Sequence, residues 1–220
     1  MNIAIDGPAG AGKSTIAKLV SKKLNYIYVD TGALYRGIAC HMIGLGIPGE
    51  DTDRIIEETS KIEADIRYVD GVQHVYINGE DVTANLRTEE VGIMASVVAR
   101  IPEVRAALLD IQRRLAKEND VVMDGRDIGT CVLPDAEVKI YLTASADVRA
   151  KRRYDELKAK GEEADIELIK KDIIERDERD MNREISPLKQ ADDAVLVDTS
   201  DMSIEEVVEK ILSIGSRVWK

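Results

Sequence analysis

Ile3-Ala4-Ile5-Asp6-Gly7-Pro8-Ala9-Gly10-Ala11-Gly12-Lys13-Ser14-Thr15 is the stretch on which the fold turns. Residues 2–5 form a short apolar run that reads as a buried strand. Gly7 to Ser14 match the pattern G-x-x-x-x-G-K-[ST],. Beyond it Ile16, Leu19, Val20 and Leu24 recur at helical spacing, with Lys18, Lys22 and Lys23 off that face,. Small residues let backbone N–H groups turn inward around a polyphosphate where a side chain would block the approach. A helix starting near Lys13 adds the partial positive charge of its N-terminus. Lys13 can neutralise β- and γ-phosphates, and the Ser14 hydroxyl can ligate Mg²⁺. The bland alternative is a glycine-rich turn with a chance Lys-Ser; the strand before and the helix after argue against it.

Working outward, Tyr26 to Val29 is a second apolar run, broken by Asp30-Thr31-Gly32 and followed by a helical pattern from Ala33 to about Leu45. Strand, loop, helix, strand opens a βαβ unit and implies a parallel sheet covered by helices. Further buried strands are expected at 121–124, 138–142 and 194–197. Five parallel strands with helices between them make a three-layer α/β domain. The middle differs: 65–68 and 72–77 alternate in polarity and are punctuated by Asp70-Gly71 and Asn78-Gly79, the strongest short hairpin signals,. Residues 63–84, with Val82 in a third small strand, read as an antiparallel insertion. Helices are expected over about 88–98 and from Pro102 to about Lys117, Pro102 suiting a first turn,. Residues 145–184 form a charged helical region interrupted near Gly161. Ser203-Ile204-Glu205-Glu206 matches a capping box at the start of the final helix,.

With 220 residues, 31 Lys+Arg against 42 Asp+Glu and a net charge of −11, the chain has ample length for a core and little basis for a broad nucleic-acid or anionic-lipid footprint,. No run approaches 18 apolar residues, so no membrane span is expected. The opening Met-Asn-Ile-Ala-Ile-Asp-Gly lacks the charged and apolar regions of a signal peptide, and a cytoplasmic location is expected,. Cys40 and Cys131 read as small core residues of a reducing compartment, and His41 and His74 as structural residues rather than ligands or a catalytic base,.

The glycine loop leaves the reaction open. No Asn-Lys-x-Asp guanine-reading segment is present, and the length leaves no room for the added domains of most ATP-driven machines. Phosphoryl transfer to a small acceptor is favoured by elimination. The arginines then become informative. Arg36 follows the Asp30-Thr31-Gly32 break, and Arg126 lies in Asp124-Gly125-Arg126-Asp127-Ile128-Gly129-Thr130 after a strand, where open α/β sheets place ligands,. Arg176, Asp180 and Arg183 are spaced i, i+4, i+7, on one helix face,. A solvated, salt-bridged surface is the competing reading of that helix. The functional reading is that planar donors from several elements stabilise the charge of a phosphoryl group in flight. An acceptor that is itself a phosphate needs no histidine base.

The chain resembles the bacterial-type cytidylate kinases, within the P-loop nucleoside monophosphate kinases. The resemblance rests on residues 5–15, on Asp-Thr-Gly-Ala-Leu-Tyr-Arg at 30–36, on Asp-Gly-Arg-Asp-Ile-Gly-Thr at 124–130, and on Glu-Arg-Asp-x-Arg-Asp-x-Asn-Arg at 175–183 followed by Pro187-Leu188. It implies phosphorylation of CMP and dCMP by ATP with Mg²⁺, in a single P-loop kinase domain. The core would take 1–30, 85–145 and 165–220, the monophosphate-binding part 31–98 with the 63–84 insertion, and a short helical lid 149–164. Gly7, Pro8, Ala9, Gly10, Ala11, Gly12, Lys13, Ser14 and Thr15 would bind ATP. Ser96, Arg105 and Asp127 would read cytosine, the carboxylate accepting from the N4 amino group. Asp180 would take the ribose hydroxyls with Thr31 and Arg176 nearby, while Arg36, Arg126 and Arg183 hold phosphates beside Lys13. Arg149, Lys151, Arg152 and Arg153 resemble the lid; Arg152 would stack on adenine or join a helix-face salt bridge. Asp124 would orient Mg²⁺ through water or serve the loop's structure. Where the family often has Gly-Lys-Gly-Thr this chain has Gly-Lys-Ser-Thr, which supplies the Ser14 hydroxyl. Small-molecule substrates only, and a monomer, are expected. A kinase for UMP, AMP or shikimate, or a non-catalytic nucleotide-binding regulator, are the rival readings.

Overall fold

The computed structural model describes residues 1–216; the last four residues of the expected core segment 165–220 lie outside the described residues. Five strands form a parallel sheet: β1 (Asn2–Asp6), β2 (Ile27–Asp30), β6 (Val121–Gly125), β7 (Val138–Thr143) and β8 (Val195–Asp198). Their spatial order is β2-β6-β1-β7-β8. β1 is central because Ile3, Ala4 and Ile5 are fully buried, as a strand covered on both faces demands,. It pairs in parallel with β6 from Asn2↔Val121 to Asp6↔Gly125, and with β7 from Ile3↔Val138 to Asp6↔Tyr141. These registers bring the ends of β1, β6 and β7 level, so the loops that leave them emerge side by side.

The chain divides into two compact units, one from residues 1–28 together with the chain from residue 120 onward, the other from residues 29–119. In the first, α1 (Lys13–Leu24) and α8 (Ile204–Gly215) bury Ile16, Ala17, Val20, Val207, Val208 and Ile211 against Ile3, Ile5, Val122, Ile140 and Val197. The charged region resolves into α6 (Ala146–Ala159) and α7 (Ile166–Met181), packed on each other. Gly161, at φ +78°, ends α6: the Glu162 and Gly161 amides bond the Leu157 and Lys158 carbonyls, a C-terminal motif that needs a left-handed residue,. α7 stops at Met181, so Arg183 lies beyond the helix rather than on its face with Arg176 and Asp180. Its guanidinium Nε donates to the Ser186 carbonyl, which turns the side chain back.

The second unit holds α2 (Thr31–Gly44), α3 (Thr52–Thr59), α4 (Glu89–Val98) and α5 (Pro102–Glu118) with an antiparallel sheet of β3 (Ala64–Val69), β4 (Val72–Ile77) and β5 (Glu80–Asp81). Both hairpin turns have left-handed pairs, Asp70 with Gly71 and Asn78 with Gly79, as Asp-Gly and Asn-Gly imply,. The third strand is only two residues long, and Val82, expected within it, follows it and donates to the Val75 carbonyl. α3 is an addition to the expected elements, capped by Asp51 and anchored by the fully buried Ile55. Residues 99–119, expected with the main sheet, contain the whole of α5, which packs on α2, α3 and β3. The insertion packs close on α2: a Cβ at Gly37 would stand 2.9 Å from Val75 Cγ1.

Candidate active site

The glycine loop leaves the central strand at a point where close backbone contact forbids a side chain. A Cβ at Gly7 would lie 1.9 Å from the Leu142 carbonyl oxygen on β7. Gly12, at φ +87°, caps α1 without a side chain, so the helix N-terminus opens onto the loop,. Lys13 is 6% exposed and its Nζ donates to the Pro8 carbonyl at 2.7 Å. Burial lowers its pKa well below the lysine range, and Arg126 lowers it further; Asp124 and Asp6 resist, and Arg176 adds to the fall. An ammonium crowded by guanidinium groups is electrostatically prepared for an anion.

Beside it Ser14 Oγ donates to Asp124 Oδ2 at 2.9 Å, and the Tyr28 hydroxyl donates to Asp124 Oδ1 at 2.8 Å. One hydroxyl and one carboxylate are hard oxygen donors of the kind Mg²⁺ accepts while keeping waters and substrate phosphates as its other ligands. No cluster of three or more His, Cys, Asp or Glu that could cage a metal occurs among the described residues. A serine hydroxyl beside a carboxylate suits a metal that arrives with the nucleotide,.

The loop after β6 is fixed from below. Asp6, 4% exposed, accepts from the Ile128 amide at 2.8 Å and the Gly129 amide at 2.7 Å. A π-helical turn, Ile128–Val132, follows. Above that anchor Arg126 Nε donates to Asp180 Oδ2 at 2.9 Å, and Arg126 Nη1 to the Gly125 carbonyl at 3.3 Å. Arg183 Nη2 reaches Asp127 Oδ1 at 3.4 Å, with both side chains nearly buried at 5% and 7% exposure. Burial works to raise the Asp180 pKa, but Arg126, Arg176 and Arg183 outweigh it and hold the carboxyl below the ordinary range. Lys13, Ser14, Asp124, Arg126, Asp127, Arg176, Asp180 and Arg183 are thus gathered in the first unit by hydrogen bonds and mutual fields.

Arg152 lies apart from that group, donating to Thr199 Oγ1 at 3.2 Å and to the Thr199 carbonyl at 2.7 Å. Arg149, expected with the lid, is buried. Its Nε donates to the Ala144 carbonyl at 2.9 Å, Nη1 to the Ala9 carbonyl at 2.8 Å, and Nη2 to Asp177 Oδ2 at 2.6 Å. Charge periodicity gave no sign of this, because its partners lie on the glycine loop and the following helix.

In the second unit Asp30 is the hub. It caps α2 through the Ala33 amide at 2.9 Å and accepts from Arg36 Nη2 at 2.9 Å and Arg87 Nη2 at 3.5 Å. Its backbone exchanges two hydrogen bonds with the Gln73 side chain, at 2.8 and 3.1 Å. Thr31 is buried at the start of α2, and Arg36 Nε is buried without a hydrogen-bond partner. Ser96 Oγ donates to the Gly92 carbonyl of its own helix at 3.2 Å. Arg105 donates to the Ala99 carbonyl at 3.2 Å, its guanidinium 5.5 Å from the centre of the Tyr35 ring. Asp6, Tyr28, Asp30 and Asp177, which hold the loops and side chains of the site in place, were missed by sequence reading; only Asp30, before Thr-Gly at a strand end, carried a local signal.

Comparison with known proteins adds an independent finding. Residues 3–217 match the family model described as cytidylate kinase. A cytidylate kinase of Caldicellulosiruptor saccharolyticus is 50% identical over 218 residues, covering 99% of this chain and 96% of that one. One from Leuconostoc mesenteroides is 52% identical over 212 residues, covering 96% and 95%. Among solved structures, a gluconokinase from Sinorhizobium meliloti aligns with a TM-score of 0.50 at 17% identity, covering 99% of this chain and 92% of that one, a likeness of fold alone.

Proposed function

This chain belongs to the cytidylate kinase family and phosphorylates CMP with ATP, and we propose which of its residues carry the transfer and how. The CMP phosphate oxygen attacks the γ-phosphorus of ATP in line, a new O–P bond forms, and the bond from γ-phosphorus to the β,γ-bridging oxygen breaks, leaving ADP and CDP. The acceptor phosphate is largely dianionic at neutral pH, so no side chain need remove a proton. Catalysis then rests on positioning and on charge.

Gly7, Pro8, Ala9, Gly10, Ala11 and Gly12 line the ATP phosphates, all but Pro8 with a backbone N–H to offer, and Lys13, Ser14 and Thr15 complete the hold; Arg152 contacts adenine. Ser14 directly, and Asp124 through water, would hold Mg²⁺, which would supply charge neutralisation on the β- and γ-phosphates when bound. Lys13, Arg36, Arg126 and Arg183 stabilise the equatorial oxygens of the group in transfer. Asp127 accepts from the cytosine N4 amino group, with Ser96 and Arg105 as donors to the ring; Thr31, Arg176 and Asp180 take the ribose. dCMP is a substrate on this reading because Asp180 also meets the 3′-hydroxyl. On this reading the enzyme works as a monomer in the cytoplasm.

The observation that carries this reading is the Lys13 ammonium standing in the field of Arg126 and Arg176, with Arg126 held by Asp180 and Arg183 by Asp127. ADP release with CMP, dCMP, UMP, AMP and shikimate tests it in wild type and in Asp127→Asn. An amide presents a donor as well as an acceptor, so the Asp127→Asn variant should raise the UMP-to-CMP ratio of kcat/KM at least about tenfold, within the roughly one to three kcal/mol per base contact that such discrimination commands. An unchanged ratio would remove Asp127 from base recognition.

A further inference from the structure

Arg149 commits three of its guanidinium nitrogens to three different parts of the first unit. Nε is held by the Ala144 carbonyl just past the end of β7, Nη1 holds the Ala9 carbonyl in the glycine loop, and Nη2 holds Asp177 of α7. Its side chain is 6% exposed and that of Asp177 12%. Asp177 Oδ1 is buried and has no hydrogen-bond partner, so the carboxylate is held through Oδ2 and its bond to Arg149. A buried ion pair contributes little to stability relative to apolar side chains of the same volume, which makes a positioning role the better account of its place here.

The two ends of the pair sit where positioning matters. The peptide joining Ala9 to Gly10 is planar and trans, so its carbonyl and N–H point in opposite directions,. Holding Ala9 O on the Arg149 side therefore directs the Gly10 N–H to the other side of the peptide. Arg149 lies directly behind the loop: a Cβ at Gly10 would be 3.4 Å from Arg149 Cβ. At the other end Asp177 follows Arg176 and precedes Asp180 by three residues on a regular helix, so a displacement of Asp177 is passed to both,.

We propose that the Arg149–Asp177 pair is a positioning link through which ATP in the glycine loop and CMP at α7 raise each other's affinity. The proposal rests on the reading above that Arg176 and Asp180 hold CMP. Order in the loop fixes the Ala9 carbonyl, that carbonyl fixes the guanidinium, and the guanidinium fixes the helix; linkage makes the effect reciprocal. The described guanidinium and carboxylate contacts of the pair all go to protein atoms, so the link should appear in the coupling of the two affinities rather than in either alone.

Calorimetric titration of CMP, with and without a saturating non-hydrolysable ATP analogue and Mg²⁺, tests the link. Wild type should bind CMP at least about fivefold tighter with the analogue present, the low end of typical coupling. In Asp177→Asn that factor should fall below about twofold, with CMP affinity in the absence of analogue within about threefold of wild type. Arg149→Met/Asp177→Leu leaves no orphaned charge and should lose the coupling equally, which covers the case in which a single variant does not fold. Coupling that persists in a folded variant, or is absent from wild type, overturns the link. Asp180→Ala separates the two claims: undiminished CMP affinity there overturns the CMP reading, whereas lost affinity together with intact coupling in Asp177→Asn overturns the link alone.

Discussion

Asp6 shows what a single buried carboxylate can cost and what it holds. Burial, opposed by the amides of Gly129 and Ile128, raises its pKa from 3.8 to about 6. The native state therefore binds a proton that the unfolded chain has released between those values, so this group's contribution to stability falls as pH rises through the window. The loss is about 3 kcal/mol once pH exceeds 6, at about 1.36 kcal/mol per pKa unit,. Urea unfolding from about pH 4 to pH 7 should show wild type losing most of that amount relative to Asp6→Asn, whose side chain does not titrate. A pH-independent difference would contradict the assignment. The aspartate stands next to Gly7 in sequence, yet the amides it accepts from, those of Ile128 and Gly129, are 122 and 123 residues away. The glycine pattern therefore announced the loop and not this anchor. Arg126 was singled out because a strand end in an α/β sheet is where ligand groups collect, and Asp127 beside it only through the resemblance. Their neighbours Asp180 and Arg183 drew attention through helical spacing and through the resemblance at 175–183, and the helix ends before Arg183.

At the scale of elements, local chemistry was the readable part. Ser203 accepts from the Glu206 amide at 3.2 Å while Glu206 Oε2 accepts from the Ser203 amide at 2.8 Å, the reciprocal pair expected from Ser-x-x-Glu,. Ser203→Ala should destabilise the protein by about 1 kcal/mol in denaturant unfolding, since one amide of the first turn loses its acceptor. No measurable change would mean that water serves that amide equally well. The strands at 121–125, 138–143 and 195–198 declared themselves as apolar runs, and the hairpins through Asp-Gly and Asn-Gly. α3 was hidden because eight residues with only Ile55 and Ile56 as large apolar side chains give no clear period,. Arg149 was placed with the lid by resemblance alongside Lys151, Arg152 and Arg153; its burial is set by the glycine loop and α7, which periodicity does not register.

For the molecule as a whole, a net charge of −11 coexists with a local gathering of Lys13, Arg126, Arg176 and Arg183, so polyanion binding is confined rather than diffuse. A ligand that binds only the folded state stabilises it by mass action. A non-hydrolysable ATP analogue at about a hundred times its Kd should contribute about 2.7 kcal/mol. For a chain of this length that raises Tm by roughly 5–10 °C in a thermal-shift measurement. Lys13→Ala should abolish the shift, and a full shift in that variant would place the analogue elsewhere. The discontinuity of the first unit has a temporal consequence. Both neighbours of β1 in the sheet come from residues beyond 120, while the whole of the second unit lies earlier in the chain. On a ribosome adding roughly 5–20 residues per second, the nascent first strand waits on the order of 5–25 s for its partners. During that interval residues 29–119, a compact unit, are already complete on the chain, so the inserted unit is expected to mature first and the nucleotide loop last.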